Sequence, residues 1–149
     1  RHLGVETGLA ARLTTTLSGR IAYTYQDFRF HDDPVRSDHR LAGAPRHWIN
    51  ASLSWRPSQR WTTQAALHGS LEKTPVDNLG TLYSDPYATL DLRAEYRLVK
   101  GMAVYAEVTN LLDATYAAST LIVDQARADQ AVFLPGDGRA IGAGLRLTF

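Results

Sequence analysis

The sequence predicts an all-β chain, built as an antiparallel transmembrane β-barrel segment of about seven strands, and three observations predict it. The chain ends on a strict period-two segment, Arg139 to Phe149. There Ile141, Ala143, Leu145, Leu147 and Phe149 share an apolar face, opposite Ala140, Gly142, Gly144, Arg146 and Thr148. A closing barrel strand that faces lipid has this character, and a soluble domain seldom ends this way. Most of the alternating segments run about 9–12 residues, against ~5–6 for ordinary strands and ~9–11 for a tilted membrane strand. The connections between them alternate short and long, as tight turns alternate with long loops in a bacterial barrel.

Each strand follows from alternation. The first spans about Leu3 to Leu13, with Leu3, Val5, Leu9 and Ala11 on one face. The second spans about Leu17 to Phe30, with Leu17, Gly19, Ile21, Tyr23 and Tyr25 opposite Ser18, Arg20, Thr24 and Gln26. The third, about His47 to Arg56, sets Ile49, Ala51, Leu53 and Trp55 against Asn50, Ser52 and Ser54. The fourth, about Trp61 to Glu72, sets Trp61, Ala65, Leu67, Gly69 and Leu71 against Thr62, Gln64, His68 and Ser70. The fifth, about Tyr87 to Leu98, sets Leu90, Leu92, Ala94 and Tyr96 against Asp91, Arg93, Glu95 and Arg97. Charges at period two cannot cheaply face lipid or a dry core, so they face a watery lumen or a plug, together with Arg146. The sixth spans about Met102 to Asn110, with Val104, Ala106 and Val108 opposite Tyr105, Glu107 and Thr109. The terminal strand is the seventh.

Thr14 to Thr16, Pro57 to Arg60 and Val99 to Gly101 are short connections; His31 to Arg46, Lys73 to Pro86 and Leu111 to Gly138 are long. Counted back from a periplasmic C-terminus, every long loop lies outside. Trp48, Trp55, Trp61, Tyr23, Tyr25, Tyr87, Tyr96 and Phe149 lie near strand ends or outer faces. They suit interfacial aromatic girdles, or alternatively the core of a soluble sandwich.

Composition sets the bounds. Apolar residues make up 44% and charged residues 21% of the 149, which excludes a disordered chain. A net charge of +1 gives no electrostatic case for nucleic acid. No cysteine is present, so disulfides, thiolate metal sites and cysteine nucleophiles are excluded. No apolar run approaches the ~18 residues of a spanning helix. The mean hydropathy of -0.24 fits a barrel whose faces alternate. The chain starts at Arg1 without a secretory leader, so this reading expects it to be the C-terminal piece of a longer precursor. Serine, histidine and aspartate occur in no nucleophile-elbow context, and no enzyme is expected. His31, Asp32, Asp33, Asp38, His39 and His47 bring imidazoles and carboxylates to one loop region, but their spacing matches no compact metal motif.

Four segments, in order, carry a resemblance. Leu41-Ala42-Gly43-Ala44-Pro45-Arg46-His47 resembles the "PxH/PRH" strand start of siderophore receptors. Asp85-Pro86-Tyr87-Ala88-Thr89-Leu90-Asp91-Leu92-Arg93-Ala94 resembles their "GYxxxDLRA" strand. Val108-Thr109-Asn110-Leu111-Leu112-Asp113-Ala114-Thr115-Tyr116 resembles the "NLxDxxY" segment of TonB-dependent outer-membrane receptors, and Phe133-Leu134-Pro135-Gly136-Asp137-Gly138-Arg139 resembles their "PGR" approach to the last strand.

The resemblance covers nearly the whole chain. It implies the last seven strands of a barrel of about 22 strands, filled by an N-terminal plug that binds the inner-membrane TonB protein through a short coupling box. Neither plug nor box is in this sequence. It further implies a ferric siderophore or similar chelate as cargo, with no resident cofactor and no bare-metal site. His31, Asp33, His39, Asp77, Asn78, Tyr83, Asp124 and Arg127 are then expected cargo contacts on the outer loops. Asp91, Arg93, Glu95, Arg97 and Arg146 would line the lumen and meet the plug. Gly144, Leu147 and Phe149 would be read by the barrel-assembly machinery, although Gly142 stands where the family often has a polar residue. The outer-membrane bilayer is the remaining expected partner. A passive porin-like barrel or a soluble β-sandwich binding module is the alternative.

Overall fold

The computed structural model describes residues 1–149. It contains eleven strands: β1 (His2–Arg12), β2 (Leu17–Phe28), β3 (His47–Trp55), β4 (Trp61–Ser70), β5 (Thr74–Pro75), β6 (Tyr83–Ser84), β7 (Tyr87–Val99), β8 (Met102–Thr109), β9 (Ala117–Thr120), β10 (Phe133–Pro135) and β11 (Ala140–Leu147). The seven long ones form a single antiparallel meander in the order β1-β2-β3-β4-β7-β8-β11. β1 and β11 are its two edges and do not pair with each other. The all-β barrel-segment reading holds, with all seven expected strands within a few residues of their expected limits.

The connections hold the register. Between β1 and β2 the Thr14 hydroxyl accepts the N–H groups of Thr16 and Leu17 at 3.2 and 3.0 Å. Between β3 and β4 the Ser58 hydroxyl accepts the N–H of Arg60 at 3.3 Å and of Trp61 at 3.2 Å. Between β7 and β8 Gly101 sits at φ 81°, and a Cβ there would stand 2.6 Å from the Thr148 carbonyl. Only glycine accepts both conditions. All three tight turns lie at one end of the sheet, and all three long loops at the other.

The register sorts the two faces. Ile141 pairs Val108, Ala143 pairs Ala106, Leu145 pairs Val104 and Leu147 pairs Met102, while the alternate rows pair Gly142 with Glu107, Gly144 with Tyr105 and Arg146 with Ala103. The apolar face has no cover: Ile141 is 80% exposed, Leu9 66%, Val5 59% and Leu145 50%. Only 12 of 149 residues are buried, so the sheet has no core of its own. An apolar surface of this extent is ordinary against lipid and a liability in water.

Packing is instead concentrated at the long-loop end, where Pro75, Val76, Asp77, Ala42 and Val132 are buried. Two short hairpins, β5–β6 and β9–β10, form there. The sequence reading treats both as irregular connection. Their two to four residues are too few to show alternation, and they are held by neighbouring loops rather than by propensity. Among the aromatic residues, Trp55, Trp61, Tyr96, Tyr23 and Tyr25 lie on the apolar face, with Trp61 and Tyr96 in ring contact at 5.9 Å. Trp48 and Tyr87 do not join them. They share the polar face with His68 and Thr89, which corrects the expectation that they belong to an outer girdle.

Candidate functional site

The polar face carries a chain of charge. On β7, Arg93 pairs with Glu107 of β8 and lies 3.9 Å from Glu95, which in turn pairs with Arg146 of β11. The Arg93 guanidinium also lies 3.9 Å from the centre of the Tyr105 ring. Tyr105 has room because Gly144 stands opposite, where a Cβ would come 2.6 Å from the tyrosine hydroxyl. Glu107 and Tyr105 fall on the predicted polar face but were not among the residues singled out. A wholly polar recess of about 540 Å³ opens beside this chain, lined by Arg56, Gln64, Arg93, Glu95, Arg97 and Arg146. Arg97, expected with the others, joins the recess near the turn end. Asp91 is committed elsewhere: its carboxylate accepts the Asn110 N–H at 2.8 Å.

Above the charges, toward the long loops, the polar face becomes aromatic. Trp48 meets Tyr87 edge-on at 6.1 Å and His68 at 6.4 Å, and Tyr87 stacks on Tyr116 at 4.4 Å. Thr89 Oγ1 lies 2.9 Å from His68 Nε2. Trp48 and Tyr87 also border a recess of about 410 Å³ with Ser70, Thr74, Ala117 and Ile122. The segments singled out for resemblance meet here. Asn110, at φ 47°, accepts the Ala114 N–H at 2.9 Å and donates to the Ala114 and Asp137 carbonyls at 2.9 and 3.0 Å. Gly136 donates its N–H to the Tyr116 carbonyl at 2.8 Å, and Arg139 pairs with Asp113 at 3.0 Å. The motifs are therefore fasteners that hold Tyr116 on Tyr87.

The three long loops are tied into one roof. Asp77 is fully buried. Its carboxylate accepts the Thr81 and Leu82 N–H groups at 2.7 and 3.3 Å, the Thr81 hydroxyl, and the Ala126 N–H at 2.9 Å. Burial pushes this carboxyl up. The N–H of Ala126, the Thr81 hydroxyl and the N–H groups of Thr81 and Leu82 more than reverse that, and it sits below the ordinary value. Asp77 was expected to contact cargo. With every oxygen committed and no exposed surface, it is a loop fastener instead. Asn78 and Asp124 do similar work: Asn78 Nδ2 donates to Asp124 at 3.0 Å, Asn78 Oδ1 accepts the Ala42 N–H at 3.2 Å, and Arg36 donates to Asp124 at 2.6 Å. The hydrogen bond from Arg36 holds the Asp124 carboxyl below its ordinary value, with Asn78 adding to it.

Asp33 caps its own turn, accepting the N–H groups of Val35 and Arg36 at 2.9 and 2.7 Å. His31, His39 and Arg127 in the loops and Tyr83 on β6 remain exposed. His31, Asp32 and Asp38 bring their ligand atoms within 4.8 Å of one another, all in full contact with solvent. Arg36, Trp48 as a polar-face residue, His68 and Tyr116 were missed as site residues. Only the position of Tyr116 in its motif could have signalled one of them.

Solved structures match this fold. The ferric yersiniabactin uptake receptor FyuA from Yersinia pestis superposes with a TM-score of 0.83 at 21% identity, over 99% of this chain and 23% of that one. The siderophore receptor PiuA from Acinetobacter baumannii gives 0.80 at 18% identity, over 98% and 21%. BauA, the ferric preacinetobactin receptor from the same organism, gives 0.77 at 16% identity, over 98% and 22%. At these identities the likeness establishes the fold. The chain spans between a fifth and a quarter of the length of these solved receptors. Comparison with curated proteins gives no match. A family profile described as "TonB dependent receptor-like, beta-barrel" matches residues 1–111, well over half of the chain. With that match covering β1 to β8 and the first two long loops, the chain belongs to the TonB-dependent receptor β-barrel family.

Proposed function

We propose that this chain forms part of the wall and mouth of an outer-membrane receptor that imports a ferric siderophore or similar metal chelate, energised through TonB. The observation that carries the reading is the composition of the polar face. An arginine–glutamate chain lines its lower part, and the Trp48–Tyr87–Tyr116 cluster lies above it under one roof of fastened loops. Aromatic faces and guanidinium groups suit a chelate that is anionic and ring-bearing. The named relatives are receptors for ferric yersiniabactin and ferric preacinetobactin and a siderophore receptor.

In this reading the apolar face contacts lipid, the long loops are extracellular, and the tight turns are periplasmic. Arg93, Glu95, Arg97 and Arg146 meet the plug. Exposed His31, His39, Tyr83 and Arg127 make first contact with cargo, and Gly144, Leu147 and Phe149 serve barrel assembly. No step breaks or makes a covalent bond, so the protein is a transporter rather than an enzyme.

The test is uptake of chelated iron by cells lacking the gene and complemented with the full-length receptor. Restoration by the wild type, and a raised half-saturating cargo concentration in Trp48→Ala at equal outer-membrane abundance, is the expected result. Uptake that persists after collapse of the proton gradient would favour a passive pore, and no uptake of any iron chelate would sink the cargo assignment.

A further inference from the structure

The tight-turn end of the sheet is one-sided in charge. Four stretches make it up, 12–17, 55–61, 96–102 and 146–149. Together they carry Arg12, Arg56, Arg60, Arg97, Lys100 and Arg146, and no aspartate or glutamate. Register puts the strand arginines on the polar face: Arg12 stands opposite Ser18, and Arg97 and Arg146 flank Ala103. The polar recess of about 540 Å³ opens among them. Arg56, Arg93, Arg97 and Arg146 line it, with Glu95 as its one carboxylate. Glu95 serves Arg146, and Glu107 serves Arg93. Arg56 and Arg97 are exposed and enter no ion pair. A concave surface lined by one sign of charge focuses the field and draws in the opposite sign.

The occupant has to be anionic, and the lining says it is small. No apolar side chain borders the recess, whereas a docked protein segment is held by aromatic and apolar anchors at the centre of its interface. A hydrated anion needs no such anchor. The planar guanidinium fork matches a pair of carboxylate or phosphate oxygens. The recess shares the polar face with the Trp48–Tyr87–Tyr116 cluster. On β4 the two are separated by the run from Ser70, beside Trp48 and Tyr87, to Gln64. Those six residues span about 20 Å, too far for one small chelate to touch both. We propose that Arg56 and Arg97 form a second, exit-side site for the anionic groups of the imported chelate at the tight-turn mouth. The neutral aromatic cluster receives the chelate at the loop end, and the unpaired guanidinium groups take it at the other. The plug meets the same face, so this site serves cargo passing between plug and wall.

The inference rests on the receptor reading above, and its test separates the two. Gln64→Cys sets a thiol in the recess of the full-length receptor, between Ser54 and Arg93. Its labelling rates with an anionic and a cationic methanethiosulfonate are measured on purified receptor. They are taken at rest and in urea that loosens the plug but not the barrel. Relative to a free thiol, the anionic reagent should gain on the order of tenfold over the cationic one, and the gain should fade at high salt. Citrate, as a competing tricarboxylate, should slow it. Arg56→Gln with Arg97→Gln should remove most of the gain, and the two lysine replacements should keep it. No preference for the anionic reagent in either condition overturns the site. A preference that appears only in urea reassigns the arginines to carboxylates of the plug, which also overturns it. If the double variant does not assemble, failure of citrate to slow the labelling is equally decisive against the site. An intact preference in a receptor that takes up no iron chelate would instead leave an anion site and sink the cargo reading.

Discussion

Arg146 on β11 and Glu95 on β7 form an ion pair across the intervening strand β8. Glu95 is also the neighbour of Arg93 at 3.9 Å, so one carboxylate separates two guanidinium groups. Replacing it strips Arg146 of its partner and leaves Arg93 to Glu107 alone. Glu95→Gln should cost about 1 kcal/mol, in the range of partly solvated pairs. A double-mutant cycle with Arg146→Gln, read by urea unfolding in lipid vesicles, should return a coupling of the same sign; additivity of the two changes would show that the pair contributes nothing.

The two faces of the sheet should respond differently to charge. Leu145 is half exposed on the apolar face, between Val104 and the neighbouring rows. Leu145→Arg should cost ~2–4 kcal/mol if that residue meets the bilayer midplane, whereas Arg93→Ala on the polar face should cost less. Equal costs, measured by folding into vesicles, would refute the assignment of faces.

Acid should loosen the loop roof. The Asp77 carboxyl titrates lower in the folded chain than its ordinary 3.8. Its contribution is therefore complete above that value and is lost as the pH falls through the lower folded one. Asp33, held down by the N–H groups of Arg36 and Val35, and Asp124, held down by Arg36, act in the same direction. Amide exchange in the three loops should rise steeply only below the ordinary carboxylate range. Asp77→Asn should raise it already at neutral pH, by about 2 kcal/mol of local opening energy. A loop exchange rate unaltered by Asp77→Asn would show that the roof is held by something else.

The Tyr116–Tyr87 stack should depend on a glycine. A Cβ at Gly136 would overlap the Tyr116 ring. Gly136→Ala should therefore displace the ring at a cost of about 1–3 kcal/mol. The near-ultraviolet circular dichroism of the aromatic cluster should fall, and iron-chelate uptake should weaken with it. An unchanged spectrum would mean that Tyr116 yields without leaving Tyr87.

The long strands were legible because alternation, length and turn chemistry are local properties. Ala140 to Leu147 declares its apolar face in eight residues, and the Asp91-Arg93-Glu95-Arg97 row declares the opposite one. The site was legible only in part. Arg93, Glu95 and Arg146 were found as polar-face residues, but their order as partners depends on which strands are neighbours. Trp48 and Tyr87 were read as girdle residues because a strand end looks the same from either face until the register is known.

The loops show the limit most clearly. Asp77, Asn78, Asp124 and Arg36 are ordinary polar loop residues in the sequence, yet Asp77 is fully buried and Arg36 reaches a residue 88 positions away. Period-two patterning by itself determined that this chain is a two-faced antiparallel sheet with tight turns at one end, because each strand's pattern is set by its immediate neighbours in sequence. Only the tertiary structure decided which loop carboxylates are fasteners and where the aromatic cluster gathers. Those outcomes require contacts between segments far apart in the chain, and no local pattern encodes them.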